Sequence, residues 1–294
     1  GPMYWLSVIG VLCSCAGCGC IALSYALQRL AHTRKKIDGE VHTQWVWWLG
    51  LILLGLGEGG NFVALGIIPA SVVAPLGSLT ILFAALLGRF LLGEQLLPRG
   101  YLGAAVLILG ALLIIFSTPE LAPPAGLDQL RARILNPAWL AFTSLLAVCA
   151  VLAALYEHII TYTFIMASIA CFCALTTKTV SFMIQHDDSR WDHPLAIFIV
   201  FFLVAMASLQ LFMYQVVLSR FQVSMVVPLH FTQYIFLVSV GATLLYGEIL
   251  TLPVLDVLTF AVGSLLCCSG AFLVSTARMD SVAPEGEGDE PSGS

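Results

Sequence analysis

Ser71-Val72-Val73-Ala74-Pro75-Leu76 recurs later in the chain as Ser224-Met225-Val226-Val227-Pro228-Leu229. The two stretches are identical at four of six positions, and the other two are Val/Met and Ala/Val exchanges. Each copy continues through a mainly apolar run to a Gly-Glu pair, Gly93-Glu94 in the first and Gly247-Glu248 in the second. Each pair is followed by another apolar segment that carries small residues. Three matching features in the same order indicate an internal repeat.

The composition sets the class of protein around this repeat. Of the 294 residues, 60% are hydrophobic and 10% are charged, and the mean hydropathy is +0.98. A soluble domain has about 25% charged residues, and a membrane helix needs about 20 mainly apolar residues. The sequence therefore predicts an all-α polytopic membrane protein with nine transmembrane helices. The spans lie near 4–27, 45–67, 70–92, 99–117, 137–157, 160–184, 194–219, 224–246 and 254–277.

The fifth and sixth spans need a break between them. A continuous helix from Asn136 to Gln185 would be about 75 Å long, far more than a bilayer requires. The best polar position for a turn is Glu157-His158.

The basic residues predict an N-out, C-in orientation, because cytoplasmic loops carry an excess of Lys and Arg. With this orientation eight basic residues face the cytoplasm and three face outward. The first group is Arg29, Arg34, Lys35, Lys36, Arg89, Arg99, Arg220 and Arg278, and the second is Arg131, Arg133 and Arg190.

The repeat divides the chain into two halves. Gly1-Pro2 precedes Met3 as a protease-cleavage scar would, so residues 3–117 form the first half with four spans. Residues 118–136 are the connecting loop, and residues 137–279 form the second half with five spans. Residues 280–294 form an acidic tail that is predicted to be disordered.

The two copies of the repeat lie in the third and eighth spans, which are an odd number of spans apart, so they cross the membrane in opposite directions. Inverted repeats of this kind are typical of transporters, which bind substrate near the midplane between the halves. The alternative is a duplication that only builds a stable bundle.

Gly57-Glu58-Gly59-Gly60-Asn61-Phe62 is an unusual stretch inside an apolar span. A charged side chain at that depth is costly, and each glycine weakens a helix by about 1 kcal/mol relative to Ala. We therefore expect a loosened helix that exposes carbonyl groups beside a carboxylate and an amide. Glu58 and Asn61 are three residues apart and share a face. Their oxygens suit a hard cation such as Mg²⁺, which keeps several waters while it binds one or two carboxylates.

An alternative for Glu58 is a protonated or Lys178-paired side chain that locks two helices together. Lys178 lies deep in the sixth span and would balance Glu58 when the site is empty. It could instead extend its ammonium group to an interface.

Further polar residues are candidates for the substrate pathway. His230 and Gln233 are three residues apart, and Gln210 and Tyr214 are four apart, so each pair shares a helix face. Interhelical hydrogen bonds would explain these four residues equally well.

The two proline motifs supply the remaining pathway candidates. Pro75 and Pro228 each free a carbonyl group one turn earlier, which predicts two gates or, alternatively, two simple kinks. Ser71 and Ser224 begin the two motifs and join the pathway candidates on that basis.

The other polar and sulfur-containing residues have simpler interpretations. Glu94 and Glu248 are expected to be structural, at span ends where water can reach them. All nine cysteines fall in apolar runs, so no disulfide framework is predicted. Four of them, Cys13, Cys15, Cys18 and Cys20, suit close helix packing or palmitoylation better than a metal cluster.

Several short motifs along the membrane region carry a family resemblance. They are Gly57 to Phe62, Pro69-Ala70, Val73 to Gly77, Ser117 to Glu120, Asn136-Pro137, Lys178 and His193-Pro194-Leu195. With its proline helices and terminal Gly-Glu pairs, the chain resembles the drug/metabolite transporter superfamily, and more narrowly the NIPA family of magnesium transporters. The resemblance implies nine spans, derived from a ten-helix ancestor, and a cation pathway at Glu58 and Asn61.

The chain departs from the family pattern at two places near the expected cavity. Gln210 to Gln215 stand where the family usually has an Asn-bearing stretch. His230 follows the second proline motif where the family usually has small or aromatic residues.

We expect a membrane carrier that moves a divalent cation, with Mg²⁺ favoured, by alternating access. Alternatives are a carrier of a small organic solute and a non-transporting scaffold or regulator. No catalytic constellation stands in a suitable context, so neither an enzyme nor a cofactor is expected. The expected partners are the lipid bilayer and the cation substrate, with no nucleic acid and with a homodimer as one option. The expected location is the plasma membrane or an endosomal membrane.

Overall fold

The computed structural model describes residues 2–38, 45–92, 97–117, 127–185, 194–221, 223–249 and 252–280. Every regular element in these ranges is an α-helix, and nine segments are long and apolar enough to cross a membrane. The expected all-α polytopic class is thereby confirmed. The helices are α1 (Pro2–Asp38), α2 (Trp45–Ile67), α3 (Ala70–Gly77), α4 (Leu79–Leu92), α5 (Pro98–Ser117), α6 (Leu127–Ile134), α7 (Pro137–Ala154), α8 (Ile159–Gln185), α9 (Pro194–Arg220), α10 (Val223–Tyr246) and α11 (Val254–Asp280).

The predicted break between the fifth and sixth spans is confirmed. Helix α7 ends at Ala154 and α8 begins at Ile159, with Glu157-His158 in the turn between them. Nδ1 of His158 accepts the N–H of Ile160 at 3.3 Å, and this N–H is one of the first groups of α8, which have no partner within the helix. The turn therefore follows from polar residues that satisfy exposed backbone groups.

The two proline motifs adopt different conformations. The third span was expected to be one helix over 70–92, but it is divided at Ser78 into α3 and α4. Pro75 has no N–H to donate, and Ser78 donates both its N–H (3.0 Å) and its hydroxyl (2.6 Å) to the Pro75 carbonyl, which tightens the turn. In contrast, α10 continues through Pro228 without a break. The copies match in sequence and differ in shape.

Glycines bring α5 and α11 into close contact along a seam. A methyl group at Gly110 would lie 2.6 Å from the carbonyl oxygen of Gly263, and one at Gly103 would lie 2.9 Å from that of Gly270. In the repeat, Gly263 and Gly270 are the counterparts of Gly103 and Gly110, both 160 residues later. Gly110 therefore contacts Gly263, the counterpart of Gly103, and Gly103 contacts Gly270, the counterpart of Gly110. A pseudo-two-fold axis between inverted halves produces this arrangement.

Glycines also explain the contact between α1 and α2. The expectation that the glycines around Glu58 loosen α2 is wrong. Helix α2 is continuous through residues 57–60, so the Gly-rich stretch does not loosen it. A methyl group at Gly57 would lie 2.8 Å from the Gly17 carbonyl oxygen, and one at Gly60 would lie 2.9 Å from that of Cys13. These glycines let two backbones approach closely, as small residues commonly do between membrane helices. The packing gained outweighs their weak helix propensity.

The regions between and after the halves are described only in part. The connecting loop 118–136 contains the short helix α6, from which Arg133 donates to the Leu245 carbonyl at 3.3 Å. Glu94 and residues 281–294 of the predicted acidic tail lie outside the described residues. All nine cysteines are free thiols, and Cys18 is fully buried.

Candidate functional site

A cluster of polar groups lies at the end of the helix bundle that is predicted to face outward. Helix α10 ends at Tyr246, and Gly247 follows with φ of +74°, a left-handed conformation that glycine adopts without a steric penalty. The turn at Gly247 directs Glu248 back into the protein, where only 2% of its side chain is exposed. The position of Glu248 at a span end predicts that water reaches it, and the structure contradicts this prediction. The carboxylate is buried because the start of α3 covers it.

Glu248 caps the beginning of α3. Its Oε1 accepts the N–H of Ala70 at 2.9 Å, and its Oε2 accepts the N–H of Ser71 at 2.9 Å and the Ser71 hydroxyl at 2.7 Å. The first N–H groups of a helix have no partner within the helix, and the dipole there favours negative charge. Pro69, which directly precedes α3, makes no side-chain capping bond, and Glu248 of the second half supplies the cap.

Lys178 provides the counter-charge. Its ammonium nitrogen lies 2.6 Å from Glu248 Oε1 and donates to the Ile68 carbonyl at 3.2 Å. It also lies 5.1 Å from the centre of the Tyr246 ring, where a cation–π interaction adds stabilisation. The suggested pairing of Lys178 with Glu58 is therefore wrong. Glu58 lies ten residues before Ile68 along the chain, about 15 Å away along a helix axis.

The charge of Glu248 follows from these contacts. Burial raises the pKa of a carboxyl group, but the Lys178 ammonium and the hydrogen bonds from Ser71 outweigh burial and hold the pKa of Glu248 below its ordinary value of 4.5. Glu248 is therefore ionised at neutral pH, and the pair acts as a buried ionic contact between α3, α8 and the end of α10.

Glu58 lies in a second polar region, nearer the middle of the bundle. Its side chain is exposed in the fold, and α2 packs against α1 of the first half and α8 of the second half. Glu58 therefore lies on a helix that contacts both halves of the chain.

Asn61 lies one helical turn after Glu58 and is half-buried. The Ser14 hydroxyl of α1 donates to its Oδ1 at 3.5 Å. Because Oδ1 can accept a second interaction, Glu58 and Asn61 together present carboxylate and amide oxygens on one face. Within the described residues, no group of three or more His, Cys, Asp or Glu side chains is arranged to hold a metal ion.

His230 and Gln233 meet α8 near its beginning. His230 is 9% exposed and stacks on Tyr234, with ring centroids 5.8 Å apart and planes inclined by 16°. The amide nitrogen of Gln233 donates to the Ile160 carbonyl at 3.3 Å. The prediction missed Tyr234, although its position four residues after His230 places it on the same face.

The other predicted pathway residues are distributed along the bundle. Ser71 belongs to the Glu248 cluster, Pro75 is buried in α3, and Pro228 is buried in α10. Gln210 is half-buried on α9. Tyr214 and Ser224 lie in α9 and α10, but their side chains are outside the described part of the structure.

The fold and these polar regions define a class: an all-α polytopic membrane protein with ionisable groups between its helices. Residues 6–280 match the family described as "Magnesium transporter NIPA", and the chain belongs to this family. The family is one of transporters and is not enzymatic, as we expected. No solved structure matches the chain.

Three relatives illustrate the similarity. Human "Magnesium transporter NIPA3" is 26% identical over 242 residues, which cover 79% of this chain and 59% of the relative. "Probable magnesium transporter NIPA1" of Arabidopsis thaliana is 25% identical over 250 residues, or 82% of this chain and 74% of the relative. Human "NIPA-like protein 2" is 24% identical over 287 residues, or 93% and 74%. The chain thus spans about three fifths of the length of NIPA3.

Proposed function

We propose that this chain carries Mg²⁺ across a membrane, with Glu58 and Asn61 as the principal binding residues. The observation that carries the proposal is an exposed carboxylate in the middle of the transmembrane helix α2, which packs against α1 and α8. Family membership and the printed names of the relatives favour Mg²⁺ among the cations. A single carboxylate with neutral oxygens suits an ion that keeps part of its water shell.

Alternating access is the mechanism that we propose for this movement. The Glu248 cluster joins the two halves at the predicted outer side, where Lys178 and Ser71 hold the carboxylate. Opening that side would separate these groups and expose them to water, which replaces their lost hydrogen bonds. The cluster would therefore act as an outer gate, while Glu58 remains accessible from the opposite side.

Uptake of Mg²⁺ into liposomes tests the proposal. Protein reconstituted with an Mg²⁺-sensitive dye inside the vesicles should give uptake that empty vesicles lack, and Glu58→Gln should remove most of it. Glu157→Gln is the matched control, because the Glu157 side chain is 82% exposed in a loop, where it pairs with the half-exposed Arg220.

The outcomes separate the alternatives. Uptake that survives Glu58→Gln unchanged would refute the binding site, and uptake of an organic solute without Mg²⁺ would favour a metabolite carrier. A protein that moves neither would favour a scaffold or regulator. A homodimer, the absence of nucleic-acid partners and cofactors, and a plasma or endosomal location stay predictions.

A further inference from the structure

The Lys178–Glu248 ion pair contacts the α2–α3 turn, which runs from Ile68, directly after α2, to the first residues of α3. The Lys178 ammonium donates to the Ile68 carbonyl at 3.2 Å. The Glu248 carboxylate accepts the N–H groups of Ala70 and Ser71, each at 2.9 Å. A helix carries partial positive charge at its N-terminal end and partial negative charge at its C-terminal end. Each charge of the pair therefore contacts the helix end of opposite sign.

The ion pair is part of a network that joins α8 to the end of α10. The Tyr246 hydroxyl donates to the Leu175 carbonyl at 2.8 Å and lies 2.6 Å from the Thr179 hydroxyl. The Lys178 ammonium lies 2.6 Å from Glu248 and 5.1 Å from the centre of the Tyr246 ring. These five residues belong to the predicted second half, whereas the α2–α3 turn belongs to the predicted first half. The pair is thus held together by contacts that do not include the turn.

The two sets of contacts differ in the free energy needed to separate them. Parting Lys178 from Glu248 would leave buried charges without a partner, which is strongly destabilising. Parting the turn from an intact pair exposes backbone groups and the Ser71 hydroxyl, and water replaces hydrogen bonds to such neutral groups at small net cost. The adjacent contact between α2 and α8 is also neutral, because the Ser181 hydroxyl donates to the Phe62 carbonyl at 2.7 Å. Separation is therefore easiest between the pair and the turn.

We propose that Lys178 and Glu248 stay paired when the predicted outer side opens, and that together they form a clasp from which the α2–α3 turn is released. The clasp recognises the turn by the order of its charges, with the ammonium at the end of α2 and the carboxylate at the start of α3. Both are positioning residues. This inference rests on the proposed function, because it states which contacts of the outer gate break during transport.

Distances between spin labels test the clasp. Double electron–electron resonance would be measured on the full chain in lipid nanodiscs, with labels on unnatural amino acids because the chain has nine cysteines. Labels at the exposed positions Val63 and Ile184 report the separation of α2 from α8. Labels at Ile184 and the exposed Val254 report the separation of α8 from the segment that follows Glu248. Opening should lengthen the first distance and leave the second unchanged, and a lengthening of both would overturn the clasp.

Exchange of the two charges distinguishes the clasp from a simple ion pair. Lys178→Glu combined with Glu248→Lys keeps opposite charges together, but it presents each charge to the helix end of the same sign. The longer distance between α2 and α8 should become the major population in the exchanged protein. A distribution equal to that of wild type would overturn the clasp, because it would show that only the pairing of the charges matters.

A second variant keeps the test valid when the exchanged protein does not fold. Ser71→Ala removes a hydroxyl that donates to Glu248 at 2.7 Å and leaves the ion pair in place. The ratio of long to short distances between α2 and α8 should rise about fivefold, equivalent to about 1 kcal/mol. Ser208→Ala is the matched control, because the exposed Ser208 hydroxyl donates within its own helix, to the Val204 carbonyl. Equal ratios in the two variants would overturn the clasp.

The clasp and the proposed transport fail in different ways. A longer distance in the exchanged protein, together with liposomes that take up no Mg²⁺, would support the clasp and refute the transport. Mg²⁺ uptake by the wild type, together with an unchanged distance distribution in the exchanged protein, would refute only the clasp.

Discussion

Glu248 binds the start of a helix that lies 177 residues earlier in the chain, because its Oε2 accepts both the backbone N–H and the hydroxyl of Ser71. The Gly-Glu pair ends one copy of the repeat and the serine begins the other. The contact therefore joins equivalent motifs of opposite orientation at one edge of the bundle. Lys178 makes it an ion pair that is almost completely buried.

The first prediction concerns removal of this charge. Glu248→Gln leaves the Lys178 ammonium buried without a counter-charge, and breaking a buried pair in this way costs about 3–5 kcal/mol. We expect a clear fall in Tm of the purified protein in nanodiscs. Glu157→Gln should leave Tm nearly unchanged, because exposed ion pairs contribute about 0–1 kcal/mol. Equal Tm values for the two variants would show that the Glu248 contact does not stabilise the fold.

The second prediction is the pH dependence of that contribution. The pKa of Glu248 is lower in the folded protein than its ordinary value of 4.5. The carboxylate therefore stabilises the fold fully above pH 4.5, and this stability is lost as pH falls through the folded-state pKa. The difference in Tm between wild type and Glu248→Gln should be constant from pH 7 to about pH 5 and shrink below that. A difference that grows on acidification would contradict the ion pair.

The third prediction tests the seam between α5 and α11. Gly110→Ala places a methyl group 2.6 Å from the Gly263 carbonyl, so one helix must move away. Overpacking of this kind costs about 1–3 kcal/mol. Gly55→Ala is the matched control, because a methyl group there meets no atom within 4 Å. The control should keep or slightly raise Tm through better helix propensity, and a similar fall in both variants would argue against the seam.

The fourth prediction concerns Asn61 as a cation ligand. Asn61→Leu removes the amide oxygen and should reduce the rise in Tm that Mg²⁺ produces. Asn61→Asp adds a second carboxylate one turn from Glu58 and should increase that rise, since Mg²⁺ binds through one or two carboxylates. Thermal unfolding at increasing Mg²⁺ concentration measures both. The same Mg²⁺ response in the two variants would exclude Asn61 from the site.

Much of the fold could be predicted because local patterns determine it. Long apolar runs give the nine spans, and Glu157-His158 marks a turn that the structure contains. The glycines around Glu58 were misinterpreted, since the same residue type both weakens an isolated helix and permits close packing. Only the position of α1, whose Gly17 carbonyl lies against Gly57, distinguishes these roles.

Partners that are distant in sequence could not be predicted from spacing. Lys178 and Glu248 are 70 residues apart, and no periodicity relates them. The sequence singled out both residues, but it gave Lys178 the wrong carboxylate. Tyr234 was missed because a tyrosine in an apolar span has no special pattern until the structure shows its ring stacked on His230.

The glycine seam has a consequence for the energetics of the whole molecule. Gly103 contacts Gly270, and Gly110 contacts Gly263. The two contacts are equivalent in the repeat, so the glycines of the seam have the same arrangement relative to either side of the membrane. In the alternating access that we propose, such a contact would contribute equally to the outward-open and the inward-open conformation and would favour neither. The preference for one conformation would then come from the groups that the repeat does not duplicate. The repeat pairs neither Glu58 nor Lys178 with a residue of the same charge in the other half. Substitutions at these two residues would therefore change the preference for one conformation.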